Sequence, residues 1–334
     1  MRYLCLILVP VLVLACSGKS VTRAESVHKT KNGDTVETDG GASVSKKGIV
    51  EMVQENHEDM VDLSPGELYL DRVVLTTAKD SSLFEELRAK ALVEAFENMS
   101  LGEKLLAIGE HFMGVPYVSG TLETEGEERL VINLRELDCV TFVEYVMAMA
   151  LSFEDTAGDF RSFTRQLKNL RYRANERVSY EARLHYFSEW ILDKEAKGIL
   201  STTNQTIGNA TMKTKVDFMS THANLYPVLQ NNPSLIARFK EIEGSISAHE
   251  FRYFTSDTIA HIEHLVENGD LIAFVTSTPG LDFSHCAFAA KRNGRLYVLH
   301  ASTRENKVEY SPVPLSEYIG QMRGVTGIVT ARFR

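Results

Sequence analysis

Leu137-Asp138-Cys139-Val140-Thr141-Phe142-Val143-Glu144 sets a cysteine between an aspartate and a strongly apolar run. An aspartate just ahead of an apolar-periodic segment marks a helix start, because its carboxylate accepts unpaired N–H groups of the first turn. Leu137 and Phe142 then form the two ends of a hydrophobic staple. Cys139 becomes the first helical residue, where the helix dipole and free backbone donors favour the thiolate, the form that attacks a carbonyl carbon. Val143, Val146, Met147, Ala150 and Leu151 follow at helical spacing, and Phe142 and Met149 add apolar surface elsewhere. The helix is therefore expected to be buried on most sides, a rigid platform for its first residue. Taken alone, a buried cysteine is more often a small packing residue, so its partners decide the matter.

Cysteine usage narrows the choice. The chain has four cysteines in 334 residues, and Cys5 and Cys16 fall in the N-terminal segment. There Arg2 precedes an apolar stretch from Leu4 to Leu14, closed by Val13-Leu14-Ala15-Cys16. This resembles a bacterial lipoprotein signal, which implies cleavage before Cys16 and acylation of that cysteine. Residues 1–16 are thus expected to be a signal peptide with a lipidated Cys16. The protein would be exported and lipid-anchored to a bacterial membrane, at the periplasmic face of the outer membrane. Residues 17–64, rich in Ser, Thr, Gly and Lys as far as Gly48, read as a flexible tether. Residues 65–334 read as one domain, in which only Cys139 and Cys286 remain. Two cysteines do not make a disulfide scaffold. Hydrophobic residues at 44% and charged residues at 24% are globular proportions, and a net charge of −9 with no basic stripe excludes a nucleic-acid partner.

Along that domain, helical patterning is expected from Ser81, and again from Ser100, where Ser100 and Glu103 have capping-box spacing. Gly114-Val115-Pro116-Tyr117 reads as the turn that ends the second helix, and 119–134 as a loop or short hairpin. The stretch 159–254 reads as a mixed insertion decorating the cleft, carrying Arg161, Arg165, Arg171, Arg173, Arg177 and Arg183 with Tyr172, Tyr180, Tyr186 and Trp190. Within it, the run Tyr180 to Trp190 concentrates planar donors and rings suited to a sugar or a carboxylate. A helix is expected from Ser256 to about Glu267, then strands over Leu271 to Val275, Phe283 to Ala290, Leu296 to Ala301 and Gly327 to Phe333.

Asn293-Gly294 joins two of these strands and is a strong two-residue hairpin signal. With that turn Arg292 faces Arg295, so His285 faces Ser302 and Ala287 faces His300. His285, Ala287, His300 and Ser302 share one face, and the two histidines are diagonal neighbours about 7 Å or less apart at Cβ. Cys286 and Phe288 point to the opposite layer, which assigns Cys286 to packing and argues against a Cys139–Cys286 disulfide. One face of the hairpin therefore offers a base, His285, and a residue to fix its tautomer, His300, with Ser302 as the other candidate. His261 and His264, at i and i+3, lack the further ligands a zinc site needs, so no metal or other cofactor is expected.

The order of cysteine at a helix start, histidine on a strand and polar residue on the next strand resembles the NlpC-type papain-like cysteine amidases of bacterial cell walls. Gly114-Val115-Pro116-Tyr117 and Leu299-His300-Ala301-Ser302 resemble segments of that family. Leu137 to Glu144, Arg171-Tyr172-Arg173, Arg183-Leu184-His185-Tyr186 and Gly280 to His285 resemble its N-acetylmuramoyl-L-alanine amidase-like subgroup, once only a domain of unknown function. The resemblance implies an α+β fold: a papain-like core whose cysteine helix packs on an antiparallel sheet. It implies hydrolysis of the amide joining N-acetylmuramic acid to L-alanine in peptidoglycan fragments, with the 1,6-anhydro sugar favoured. Cys139, His285 and His300 would then be nucleophile, base and orienter, and backbone N–H groups at the helix start would stabilise the oxyanion. Tyr117, Asp138, Arg183, His185, Tyr186 and Ser284 are the candidate substrate contacts. The long insertion, and Ser119-Gly120 where small members of the family carry paired glycines, depart from the broader pattern. Competing readings are a γ-D-glutamyl-diamino-acid endopeptidase of the same fold and a non-catalytic muropeptide-binding lipoprotein.

Overall fold

The computed structural model describes residues 72–174, 176–212 and 215–334. The signal segment 1–16 with Cys16 and the tether 17–64 lie outside the described residues. In chain order the elements are β1 (Val74–Leu75), α1 (Ala78–Val93), α2 (Leu101–His111), β2 (Leu130–Val131), α3 (Cys139–Phe153), α4 (Phe160–Arg171), α5 (Phe187–Ala196), β3 (Leu200–Thr202), β4 (Ala210–Met212), α6 (Pro233–Ser247), β5 (Phe251–Thr255), β6 (Leu271–Thr276), β7 (Phe283–Arg292), β8 (Arg295–Ser302), β9 (Lys307–Tyr310) and β10 (Val325–Phe333), with short helical turns between some of them.

Local chemistry explains most boundaries. The capping box of Ser100 and Glu103 starts α2 as its spacing requires. Helix α1 begins earlier than Ser81 because Thr77 and Asp80 form a capping box of their own. The helix expected over 256–267 breaks into single turns at 256–258, 259–262 and 263–265. Its continuation is interrupted at Glu263, whose carboxylate is drawn to β8, accepting from Arg295 Nε at 2.8 Å and Leu296 N at 3.3 Å. Leu130–Val131 pairs in parallel with Val74–Leu75, so 119–134 is no hairpin but a return to the start of the described chain.

The main sheet is antiparallel, in the order β4-β5-β10-β6-β7-β8-β9, with β3 beside β10 as well. Asn293 and Gly294 take φ of 52° and 76°, the left-handed pair that a two-residue hairpin turn requires. Arg292 pairs with Arg295 and the ladder runs in that register to Phe288 and Leu299. One face of the sheet, carrying Cys286, Phe288, Leu299, Ala301 and Val329, packs under α1 to α5. The other face, carrying Phe274, Ala287, Ala289 and Val298, is covered by Phe254, Ile259, Leu315 and Tyr318. Helix α3 is buried at every residue but Leu151 and Phe153, and Phe142 meets Phe288 edge-on at 5.8 Å between ring centroids.

The stretch 159–254 is mixed in structure, yet it is more than a decoration of the cleft. Helices α4 and α5 share the core of α3, and β3 and β5 pair with β10. Only Val216 to Ile246, with Tyr180, Tyr186 and Leu281, forms a separate small core.

Candidate active site

Asp138 is the N-cap of α3 and is fully buried; its Oδ1 accepts from Val140 N at 3.0 Å and Thr141 N at 2.8 Å, while Thr141 Oγ1 accepts from Asp138 N at 2.9 Å. Cys139 is the first helical residue, 1% exposed. The cap has a chemical consequence. The Val140 and Thr141 amides are spent on the carboxylate and that of Phe142 on the Asp138 carbonyl, so the Cys139 amide remains for an oxyanion. The expectation of several free amides at the helix start is corrected accordingly. Burial pushes the Asp138 carboxyl up to about 6, against the hydrogen bonds from Thr141 that pull it down.

With a folded-state value above the unfolded one, the Asp138 contribution is fully present below about pH 4 and is lost as pH rises through about 6. Asparagine caps nearly as well and does not titrate. Asp138→Asn should therefore remove on the order of 3 kcal/mol of stability difference between pH 4 and 7. Urea midpoints of both proteins at the two pH values check this; an unchanged difference would show that Asp138 does not titrate in this window.

On β7 and β8, His285 Nε2 and His300 Nδ1 are 2.6 Å apart, and both rings are buried. Burial, then the neighbouring His300, holds His285 well below the usual histidine range; burial pushes His300 down to about 3. Both imidazoles are neutral at pH 7. His285 Nδ1, His300 Nε2, Ser284 Oγ and Asp138 Oδ2 are buried without hydrogen-bond partners. Ser284 is the extra residue of a bulge: Phe274 pairs with His285, but Val275 pairs with Phe283. Ser302 Oγ accepts from Glu305 N at 3.2 Å in the β8–β9 turn, so the residue bonded to His285 is His300.

The His285 and His300 rings meet Phe274 and Tyr318 on one face of the sheet, whereas the body of α3 packs on the face that carries Cys286 and Phe288. Cys286, expected in the layer away from Cys139, is the strand residue that meets the start of α3, its Sγ donating to the Cys139 carbonyl at 3.1 Å. Both cysteines are free thiols. The start of α3 is thus fixed against the residue next to His285 in β7, rather than against the face His285 shares with His300. Hydrogen bonding does not join the Cys139 thiol to His285 Nδ1 in this arrangement. The sequence reading missed the role of Cys286 because pleat alternation tells which residues share a face and not what packs on that face.

Around the cysteine helix Arg171 and Arg183 of the insertion are paired with acids. Arg183 Nη2 meets Glu123 at 2.7 Å and its Nε meets Glu128 at 3.2 Å. Arg171 Nε meets Glu144 at 2.7 Å and Arg171 Nη1 donates to the Val131 carbonyl at 2.6 Å, both residues 1% exposed. Burial works against the charge of each guanidinium, and the adjacent glutamates outweigh it. Arg171, Arg183 and His185 line a cavity of about 30 Å³ beside Val140 and Glu144, room for a water or two and not for a sugar. His185 donates from Nε2 to the Tyr180 carbonyl at 2.7 Å. Tyr186 lies apart from that cavity, donating to Glu243 at 2.7 Å and accepting from Met219 N at 2.8 Å. Tyr117 bridges to Leu137, two residues before the cysteine, and its amide donates to Asn306. Asp282 was not singled out in the sequence; its carboxylate accepts from Ser188 N at 2.7 Å and so ties the start of α5 to the strand bearing His285. A wider groove of about 490 Å³, lined by Glu110, Arg292, Lys307 and Tyr310 among others, includes neither the cysteine nor the histidines.

The family described as AmiA-like, N-acetylmuramoyl-L-alanine amidase-like, matches residues 107–326. Among solved structures, the chain is similar to an N-acetylmuramoyl-L-alanine amidase from Bacteroides uniformis, with 36% identity and a TM-score of 0.67 over 70% of this chain and 99% of that one. It is also similar to a protein from Bacteroides fragilis named as a putative xylanase, with 38% identity and a TM-score of 0.65 over 68% and 100% of the two chains. A Legionella pneumophila protein at 22% identity shares the fold, with a TM-score of 0.56 over 76% of this chain and 96% of that one. No curated protein matches.

Proposed function

Because the chain belongs to the N-acetylmuramoyl-L-alanine amidase-like family, we propose that it is a cysteine hydrolase with a papain-like core. Its substrate on this reading is the amide between N-acetylmuramic acid and L-alanine in peptidoglycan fragments, the 1,6-anhydro form preferred. The carrying observation is the His285–His300 bond, which engages Nε2 of His285 and leaves its Nδ1 unpartnered, on the strand whose next residue holds the start of the Cys139 helix.

Each residue then has a task. Cys139 Sγ attacks the carbonyl carbon of the muramic acid side chain while His285 Nδ1 takes the thiol proton. His285 begins as a neutral imidazole, because burial disfavours the imidazolium before substrate charge develops. The Cys139 amide faces the oxyanion. His285 returns the proton to the nitrogen of L-alanine as the C–N bond breaks, leaving a thioester on Cys139. Water, deprotonated by His285, then hydrolyses the thioester, releasing the muramic acid carboxylate and restoring the thiol. Arg183 and His185 are the substrate contacts best supported by position, and their engagement requires the small cavity to open. Export and anchoring through a lipidated Cys16 belong to the same proposal, resting on residues 1–16.

The name xylanase belongs to the Bacteroides fragilis protein; glycoside hydrolysis calls for two carboxylates across a cleft, whereas the residues given roles in this proposal are a free thiol and a pair of imidazoles. Products decide the bond cleaved. Mass spectrometry of an anhydro-muropeptide digest should show an intact free peptide beginning with L-alanine. A muramoyl dipeptide would instead identify a γ-D-glutamyl-diamino-acid endopeptidase, and an uncleaved substrate a binding protein.

A further inference from the structure

We propose that Glu309 is a positioning residue that accepts the Nε2–H of His300, directly or through one water, and so extends the Cys139–His285–His300 arrangement by a carboxylate. The inference rests on the roles given above to Cys139 and His285. Those roles leave a single choice of tautomers. For Nδ1 of His285 to accept a proton, its Nε2 must carry the hydrogen and donate to His300 Nδ1. His300 is then protonated at Nε2, a buried donor with no partner. A buried donor left without an acceptor is costly, so an acceptor is called for.

Glu309 is the group placed to answer. It pairs directly across the β8–β9 ladder with His300, so the two side chains leave the sheet on the same face. Directly opposed positions put Cβ atoms about 4.5–5.5 Å apart. Glu309 Oε1 is itself buried and without a partner, while the residue as a whole is partly exposed. One orphan donor and one orphan acceptor therefore stand at opposed positions. Other groups near the pair include Ser302, whose hydroxyl hydrogen-bonds the Glu309 carboxylate and accepts from Glu305 N, Phe274, whose ring lies 5.3 Å from that of His285, and Tyr318, whose ring meets His300 edge-on at 5.5 Å. Nothing in the sequence pattern marks Glu309, which lies nine positions after His300 in a strand of four residues.

A positioning role separates from a structural one by which constant moves. Steady-state kinetics of the full chain on an anhydro-muropeptide should show kcat down about tenfold for Glu309→Ala with KM unchanged. Glu309→Gln, which keeps an oxygen acceptor, should recover most of that loss. Tyr318→Phe is the control for the competing acceptor. Wild-type kcat in Glu309→Ala, a loss appearing in KM, a loss that glutamine fails to restore, or a loss that follows Tyr318→Phe instead would each overturn the proposal. Cys139→Ala in the same assay keeps the two failures distinct: if it remains active, the underlying mechanism is wrong, and if it alone is dead, only the role of Glu309 is.

Discussion

Replacing Cys139 by alanine is expected to cut amide hydrolysis by at least about a thousandfold while leaving the fold in place. The two expectations have separate physical sources. On the proposed mechanism activity depends on the sulfur, because Cys139 Sγ is the atom that attacks the carbonyl carbon. The fold depends on what surrounds it: the Asp138 cap, the apolar faces of α3, and the Cys286 thiol bonded to the Cys139 carbonyl, which alanine retains. The side chain removed is small, so the stability cost should stay below about 1.5 kcal/mol. Hydrolysis rate and thermal midpoint, measured on the same preparation, check both parts. Activity within tenfold of wild type would remove the thiol from the mechanism.

The largest loss of stability is expected from Arg171→Ala, about 3–5 kcal/mol. Arg171 joins three elements at once: it is the last residue of α4, it pairs with Glu144 of α3, and it donates to the Val131 carbonyl of β2. Its guanidinium also lies 5.3 Å from the centre of the Tyr145 ring. Alanine would strand the Glu144 carboxylate in a site that is 1% exposed. The double substitution Arg171→Met with Glu144→Met removes both charges and fills the space, and should recover most of the loss. Urea denaturation of the two variants checks this. Equal destabilisation by the single and the double change would mean that packing, not the stranded charge, carries the effect.

What could be read from the sequence was local chemistry with a short reach. The Asp138 cap, the Ser100–Glu103 box and the Asn293–Gly294 turn each depend on residues within a few positions, and all three appear where their spacing put them. The hairpin register followed from its turn, and with it the approach of His285 to His300. What was hidden depends on distant partners. The β6–β7 bulge at Ser284 comes from how two strands meet, not from either strand alone. The pairing of β3 and β5 with β10 joins segments far apart in the chain, so 159–254 looked like an addition when part of it completes the sheet. The arginines of that stretch looked free to receive a ligand because the acids that neutralise them, Glu123, Glu128 and Glu144, precede them by tens of residues. Most instructive is Cys286: alternation assigned it correctly to the side away from the histidines, but only packing showed that this side is occupied by α3.

The central claim is that Cys139 is the nucleophile, and alkylation of the native full-length protein tests it most directly. Iodoacetamide should abolish muropeptide hydrolysis in step with modification of Cys139, as mapped by peptide mass spectrometry, and substrate should slow both. Cys286, fully buried and bonded to the Cys139 carbonyl, should react later. Full hydrolytic activity in protein whose Cys139 is completely alkylated would contradict the mechanism.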